Sequence, residues 1–599
     1  MILKALYEYY NQSDQVAPLG KEKKEIAFLI VIKRDGTFIR FEDTRNEDTN
    51  GSEFFVSASW ARTGTTPQPF HFWDNFSYVL GFGQANIGIK KDDLDNKKIE
   101  KLKKEITKYK KNHSAFVEYV KKMEELHPND DDVKAIRLFY EKNDDRIESI
   151  LRGSPIWDNL RTNLNKNISF LIEGEKTIIA SKDTIIEYSN KKEKEGHSIC
   201  LITGKKCSPV ATFTKIKLGK YSDTKLISFQ KNSGYDSYGK SQGNNAPISK
   251  EAEFKCSTAL KKMLEYGSRN KFSVGNRTFI FWASSQSEGA KAIEESVFDM
   301  FGFSDDNPDR NIENIRNSFE SIYNGKEDFN KDGCFYILGL YPANKARISV
   351  SYWAEIPLYD FVGFLLRHFS DMEIVINKKG YNYAGLQAIL KAVTLKGEIY
   401  GDSSKLTPNL AEAVVMSILQ GKPYPQTLLT SCIRRIKAEI YGKDYEESKK
   451  RGYDITRIAI IKAFLNRLYD NNKKITVMID KENTNQGYLC GRLFSVLDKI
   501  QEEANKQHSI RERYMNSASS MPAAVFPTIL NLSNHHIENL KSEGRKIYFE
   551  KLKQEIISKI DAEGFLPQLN LHDQGRFFIG YYHQNQDFYT KKEDNNQEL

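Results

Sequence analysis

Ile26 to Lys33 reads IAFLIVIK and leads directly into Arg34-Asp35-Gly36. The run of apolar residues is continuous and has the length of a buried strand. Asp35-Gly36 is a signal for a tight two-residue turn, and Thr37 to Phe41 follows as a second strand. The stretch therefore predicts a β-hairpin whose first strand lies in a core.

The pattern around this hairpin predicts five regions. Residues 1–90 are β-rich, and residues 91–160 form a helical insertion with a lysine-rich solvated face. A β-containing central region covers 161–357 and a helical region covers 358–470. Residues 478–599 carry apolar stripes at helical spacing and form a small helical bundle. The predicted fold class is α+β, with a mixed β-rich N-terminal body that has helical insertions, followed by a C-terminal α-helical bundle.

Composition gives a weak indication of the partner. The chain has 599 residues, and Lys and Arg exceed Asp and Glu by nine. This excess favours polyanions only modestly, and a slightly basic soluble protein is an equally good interpretation. The sequence has neither a long apolar run nor a leader-like N-terminus, so we expect a cytoplasmic protein without a membrane partner.

Cysteines and carboxylates do not form a recognisable metal or catalytic motif. Cys200 and Cys207 have a C-x6-C spacing without a second pair, which is more typical of two reduced thiols than of a zinc site. The acidic runs Asp130–Asp132 and Asp305–Asp306 are interpreted as solvated polar loops, the alternative being a two-metal nuclease. Metalloprotease, P-loop and serine-hydrolase signatures are missing from the sequence. We therefore expect no enzyme activity, no metal and no cofactor.

Two polar loops have the composition of nucleic-acid readers. The first runs from Arg62 to Gln68 before an aromatic segment that ends at Asn75, and the second runs from Tyr238 to Pro247. Arg, Gln and Asn make paired hydrogen bonds to base edges, and glycine lets the backbone approach a ligand closely. The alternative for each loop is an ordinary structured turn. The candidate DNA-binding residues are Arg62, Thr63, Gly64, Gln68, Asn75, Lys240, Gln242, Gly243, Asn244 and Asn245.

A third candidate is basic. Arg434 and Arg435 lie in a predicted helix and are candidate phosphate-binding residues. The alternative is an ordinary solvated helix face.

Several stretches together resemble one family, the large subunit of the type I-C CRISPR-Cas Cascade complex. The resemblance runs nearly from end to end of the chain. The stretches that carry it are MILKALYEYY (1–10), IAFLIVIKRDG (26–36), FEDTR (41–45), WDNFSYVLG (73–81), CLITGKKCSPV (200–210), LISFQKNSGYDSYGKSQGNNAPIS (226–249), RISVSYW (347–353) and GRFFIGYYHQ (575–584).

The resemblance implies a non-catalytic role in an RNA-guided complex. The implied partners are a CRISPR RNA, target double-stranded DNA, a backbone subunit, a handle-binding subunit and a helicase-nuclease that acts in trans. In such complexes the guide pairs with the target, while protein reads a short flanking motif on the duplex. The large subunit is implied to read that protospacer-adjacent motif and to help open the duplex. The C-terminal bundle is similar to the small subunit of related complexes, and Met478 is the implied start of a separate small subunit made from the same gene.

The second hypothesis is an architectural subunit. It caps the complex by binding RNA and does not read DNA sequence. The two hypotheses differ in whether the affinity of the complex for target DNA depends on the sequence of the flanking duplex.

Overall fold

The chain forms two compact units in the computed structural model. One unit is Met1–Lys262 with Ala343–Ile348, and the other is Met263–Pro342 with Ser349–Leu599. The five regions predicted from the sequence remain a prediction. The structure describes residues 1–589 except for 15, 47–48, 60–65, 89–95, 190–195, 233, 235, 275–276, 286, 302–316, 318, 322, 325–332, 377–384, 395–405, 407–408, 451, 469–473 and 507.

The first unit contains ten short strands and nine helices among its described residues. Its strands are β1 (Lys21–Ile26), β2 (Phe28–Ile32), β3 (Phe38–Asp43), β4 (Ser52–Ser57), β5 (Trp73–Asn75), β6 (Asn167–Ile172), β7 (Ser198–Ile199), β8 (Lys206–Cys207), β9 (Ile216–Leu218) and β10 (Tyr221–Thr224). The helices that begin in it are α1 (Ile2–Gln12), α2 (Phe76–Val79), α3 (Gln84–Gly88), α4 (Asn96–Leu126), α5 (Asp131–Asn143), α6 (Ile147–Arg152), α7 (Trp157–Thr162), α8 (Asp183–Ser189) and α9 (Lys250–Leu264).

Strand β2 is the centre of the first unit, and every one of its residues is buried. The sheet has the order β3-β2-β6-β5, in which β2 pairs antiparallel with β3 and parallel with β6. The Asp35 carboxylate accepts hydrogen bonds from the Thr37 amide (3.0 Å) and hydroxyl (2.9 Å) and fixes the turn between β2 and β3. The predicted hairpin with a buried first strand is confirmed. The expected two-residue turn was wrong, because the Lys33 amide donates to the Thr37 carbonyl at 2.9 Å and encloses three residues, Arg34-Asp35-Gly36.

The acidic run Asp130–Asp132 begins a helix. The Asp130 side chain accepts from the amides of Asp132 (3.0 Å) and Val133 (3.1 Å), so it caps α5. Asp132 pairs with Lys182 at 2.6 Å. The interpretation as a solvated loop was wrong here, because the three aspartates sit where a helix N-terminus favours negative charge. Asp305–Asp306 lies outside the described residues.

The second unit joins one sheet to a large helical array. Its sheet has the order β11-β12-β13-β14 and consists of β11 (Lys271–Val274), β12 (Arg277–Ala283), β13 (Cys334–Pro342) and β14 (Ile348–Pro357). Its described helices are α10 (Glu288–Phe301), α11 (Leu358–Met372), α12 (Leu386–Val393), α13 (Leu410–Leu419), α14 (Gln426–Ala438), α15 (Gly442–Lys450), α16 (Tyr453–Leu468), α17 (Gln486–Asn505), α18 (Ser509–Ala518), α19 (Pro522–Glu538), α20 (Glu543–Ile557) and α21 (Leu571–Asp587).

Helices α17 and α21 are in backbone contact. A Cβ on Gly491 would lie 1.9 Å from the Phe577 carbonyl oxygen, and one on Gly580 would lie 2.2 Å from the Tyr488 oxygen. Beside this contact, buried Arg492 donates from Nε to Gln584 Oε1 at 3.0 Å. The α17–α21 pair therefore requires glycine at the crossing.

One apolar core runs through the whole second unit, from Phe272 to Tyr582. The predicted fold class, α+β with N-terminal strands and C-terminal helices, is confirmed. In the described part of the chain, every helix is too short or too polar to cross a bilayer.

The helix contact predicts opposite effects for two glycine substitutions. Gly491→Ala forces a methyl group into the Phe577 carbonyl and should lower the free energy of unfolding by about 1–3 kcal/mol. Gly544→Ala, in the first turn of α20 with its nearest neighbour 3.7 Å away, should be neutral or stabilising by up to about 1 kcal/mol. Urea unfolding measures the stability of both variants. A Gly491→Ala protein as stable as wild type would contradict the close backbone contact between α17 and α21.

Candidate nucleic-acid interface

The first loop leads into a buried aromatic segment. Arg62, Thr63 and Gly64 lie outside the described residues, and Gln68 is half-buried. The Trp73 side chain is buried, stacks on Phe70 with ring centroids 4.8 Å apart, and donates from Nε1 to a backbone carbonyl at 3.2 Å. The aromatic residues of this segment therefore anchor the end of the loop in the core.

Asn75 has a structural task at the end of this segment. Its Oδ1 accepts from the Ser77 amide at 3.0 Å and from the Ser77 hydroxyl at 2.7 Å, so it caps α2. An Asn in front of a short apolar helix is a recognisable capping signal that the sequence reasoning did not use. DNA contact by Asn75 remains a prediction.

His71 lies in the buried aromatic segment that follows the first loop. Its ring is buried and hydrogen-bonds the Tyr119 hydroxyl. Burial, together with the positive charge of Lys250, lowers the pKa of His71 to about 4. Lys250 is the first residue of α9, the helix that follows the second loop.

The second loop is held by a contact that only glycine permits. A Cβ on Gly243 would lie 1.7 Å from the Val210 carbonyl oxygen, and the Gly243 amide donates to the Ala211 oxygen at 3.2 Å. Gln242 to Asn245 form a single 3-10 turn, and the Asn245 side chain donates to the Gln242 carbonyl at 3.0 Å. Gly243 is therefore a positioning residue for its neighbours.

Other residues of this loop are exposed to solvent to different extents. Lys240 and Asn244 are exposed, and Gln242 is half-buried with a positive φ of 46°. Tyr238 is fully exposed, at 100%, also with a positive φ of 55°. The sequence reasoning missed Tyr238, although an aromatic residue inside a Gly-, Ser- and Asn-rich loop has no helical or strand partners that would bury it.

The segment that supports the second loop contains Cys200. Burial raises the pKa of the thiol, but hydrogen bonds from Thr203 and from backbone amides, including that of Ser249, outweigh burial and bring the pKa to about 7. Cys200 and Cys207 are both free and buried. Across the described part of the chain, His, Cys, Asp and Glu side chains do not form a group of three that would hold a metal.

Arg434 and Arg435 have different environments on α14. Arg434 is exposed, whereas Arg435 is buried and forms an ion pair with Glu439. Glu439 also pairs with buried Arg457 at 2.6 Å. Arg435 is thus part of a buried ion network, and Arg434 is the one of the two whose side chain reaches the surface.

A comparison with protein families identifies the chain. The model of the family described as CRISPR-associated protein (Cas_Csd1) matches residues 3–589. The chain belongs to this family. The match confirms the resemblance seen in the sequence and identifies a CRISPR-associated Cascade component. A search of curated proteins finds no match.

The environment of His71 predicts acid sensitivity in this Cas_Csd1-family chain. Its pKa in the folded state, about 4, lies below the ordinary value of 6.5. Between these two values the unfolded chain binds more protons, so stability falls as the pH drops below about 6.5. His71 should account for a loss of about 2 kcal/mol by pH 5.

Urea unfolding at pH 7.5 and pH 5 measures this loss. His71→Gln should weaken the pH dependence, whatever its effect at neutral pH, whereas His197→Gln at an exposed position should leave it unchanged. An unchanged pH dependence in His71→Gln would show that this histidine does not titrate as described.

Proposed function

We propose that this chain is the non-catalytic large subunit of a type I-C CRISPR RNA-guided complex. It reads the protospacer-adjacent motif on duplex DNA, aids opening of the duplex and recruits the helicase-nuclease. The observation that carries the proposal is the second loop, in which the Gly243–Val210 contact fixes a turn that bears Gln242 and Asn244. The match to the Cas_Csd1 family supports the setting in a guided complex.

The side chains of this loop have the chemistry that base readout needs. Gln and Asn carry a donor and an acceptor side by side, and they form paired hydrogen bonds with adenine in the major groove. Each such pair is worth about 1–3 kcal/mol of discrimination against a wrong base. A backbone that is already fixed loses little conformational entropy on binding. The free energy of the base contacts therefore does not have to offset the cost of ordering the loop.

Tyr238 and Lys240 supply the interactions that do not depend on sequence. Lys240 is an exposed cation that can hold a phosphate. The Tyr238 ring is completely exposed and offers a face on which an unpaired base can stack. Stacking of a base that has left the duplex would favour the opened state.

The proposed partners follow from the family. They are the CRISPR RNA, the backbone and handle-binding subunits, and a small subunit translated from within the same gene. Met478 is 60% exposed and precedes α17, so a chain that starts there contains α17 to α21 complete. The exposed Arg434 is a proposed phosphate contact of the full-length chain.

The alternative function is an architectural subunit that binds RNA and caps the complex. The two functions make different predictions for the second loop. A capping subunit needs no base-reading side chains, so substitutions in this loop would leave the affinities for different flanking motifs in constant ratio.

Two kinds of substitution in the loop test the proposal. In the assembled complex, Gln242→Ala and Asn244→Ala should each reduce the affinity ratio between preferred and non-preferred flanking motifs by about 5- to 150-fold. Lys240→Gln, in the same loop, should weaken all duplexes alike because it contacts only phosphate. The measurement is the dissociation constant for duplexes that differ only in the flanking motif. Ratios that remain at the wild-type value in both alanine variants would refute the reading role of the loop.

A further inference from the structure

The first half of α4 carries much of the excess positive charge of the protein. Residues 96–111 read NKKIEKLKKEITKYKK, with eight lysines against two glutamates, a net charge of +6. The whole chain has a net charge of +9. A basic balance that is modest overall is therefore concentrated on about four helical turns.

Five of these lysines form one line along the helix. Successive members are four, three, four and three positions apart, which places them on one face because an α-helix turns by 100° per residue. The line spans about 21 Å at a rise of 1.5 Å per residue. We call this the lysine stripe: Lys97, Lys101, Lys104, Lys108 and Lys111.

All five side chains of the lysine stripe are exposed. Within the described ranges of the chain, none of them forms an ion pair with an acidic side chain. Some lysines of the unit do form ion pairs, such as Lys182, which binds Asp132 and Glu175 at 2.6 Å each. Like charges at this spacing repel one another, so the stripe lowers helix stability unless an anion lies along it.

The opposite side of α4 is packed and holds the stripe in place. The Tyr109 ring lies against Gly83, where an added Cβ would be 2.5 Å away, and Leu102 approaches Gly88. Further along the helix, Phe116 and Val120 are fully buried. The stripe is therefore a preformed linear array of charges on a fixed helix.

We propose that the lysine stripe binds the sugar-phosphate backbone of duplex DNA. The proposal rests on the proposed function, since it names a second DNA-contacting surface of the same subunit. Its length corresponds to about six base pairs at 3.4 Å per pair. Contacts of lysines with phosphates need no entry into a groove, so one exposed helix face is sufficient. Duplex DNA is the polyanion that the proposed function brings to this subunit, and the guide RNA is the alternative that the test below separates.

The test uses the assembled complex and its salt dependence. All five lysines of the stripe are replaced by glutamine (K97Q, K101Q, K104Q, K108Q, K111Q), which preserves helix propensity. Affinity for the target duplex is measured from about 50 to 200 mM KCl. The slope of log K against log salt should become shallower by about 0.9 for each phosphate that the variant no longer binds, up to about 4.5. Across this range the wild-type affinity should fall about 10²–10³-fold more than that of the variant.

A matched control shows whether the effect comes from the lysine stripe or only from the loss of five positive charges. It replaces five exposed lysines elsewhere in the first unit (K4Q, K33Q, K134Q, K142Q, K176Q) and should keep the wild-type slope. Equal slopes for wild type and the stripe variant would overturn the proposal, and so would an equal change in the control. A thermal unfolding midpoint equal to that of the wild type shows that each variant is folded.

Two further measurements separate DNA binding by the lysine stripe from RNA binding and from the proposed reading of the flanking motif. A lower ratio of guide RNA to protein in complexes of the stripe variant would overturn the proposal and assign the stripe to RNA. Discrimination between flanking motifs reports on the proposed function separately. The stripe variant should retain that discrimination, because phosphate contacts carry no sequence information. Wild-type complex without any discrimination would instead refute the proposed function while leaving the slope comparison interpretable.

Discussion

Contact between backbones, with no Cβ in between, fixes the geometry of one helix pair in the second unit and of the second loop in the first. In the second unit, Gly491 and Gly580 let α17 and α21 approach until carbonyl oxygens fill the space of side chains. In the first unit, Gly243 brings the second loop against the Val210 carbonyl in the same way. Such contacts tolerate no larger residue, so each of them fixes one geometry. They give a rigid helical array in one unit and a rigid polar turn in the other.

Rigidity matters for the loop if it discriminates between bases, as we propose. A flexible loop with the same Gln and Asn residues loses binding energy to ordering and adapts to more than one base. Affinity itself comes from phosphate contacts, which are strong and independent of sequence. In the proposed function the chain separates these two tasks, with paired donors and acceptors on the loop and lysines on the face of α4.

The sequence predicted elements whose signals are local. The β2–β3 hairpin follows from a continuous apolar run with Asp35-Gly36 after it, and the helical tail follows from apolar stripes at helical spacing. The resemblance indicated the family, because it extends along nearly the whole chain. The burial of the candidate site residues was harder to predict, because it depends on side-chain partners that the residue types alone do not specify. Arg435 has the residue type of a surface cation, but it is buried in an ion network with Glu439 and Arg457. Asn75 caps α2 through its bonds to Ser77, a role that the sequence reasoning did not consider, and its contact with DNA stays a prediction.

The central claim is that this chain, and not another subunit, reads the flanking motif. The most direct measurement is binding of the assembled complex to matched target duplexes in which only the flanking trinucleotide varies, with and without this subunit. The account predicts clear discrimination that disappears when the subunit is omitted, while guide pairing with the target persists. Discrimination that is unchanged without the subunit would contradict it and would leave this chain an architectural role.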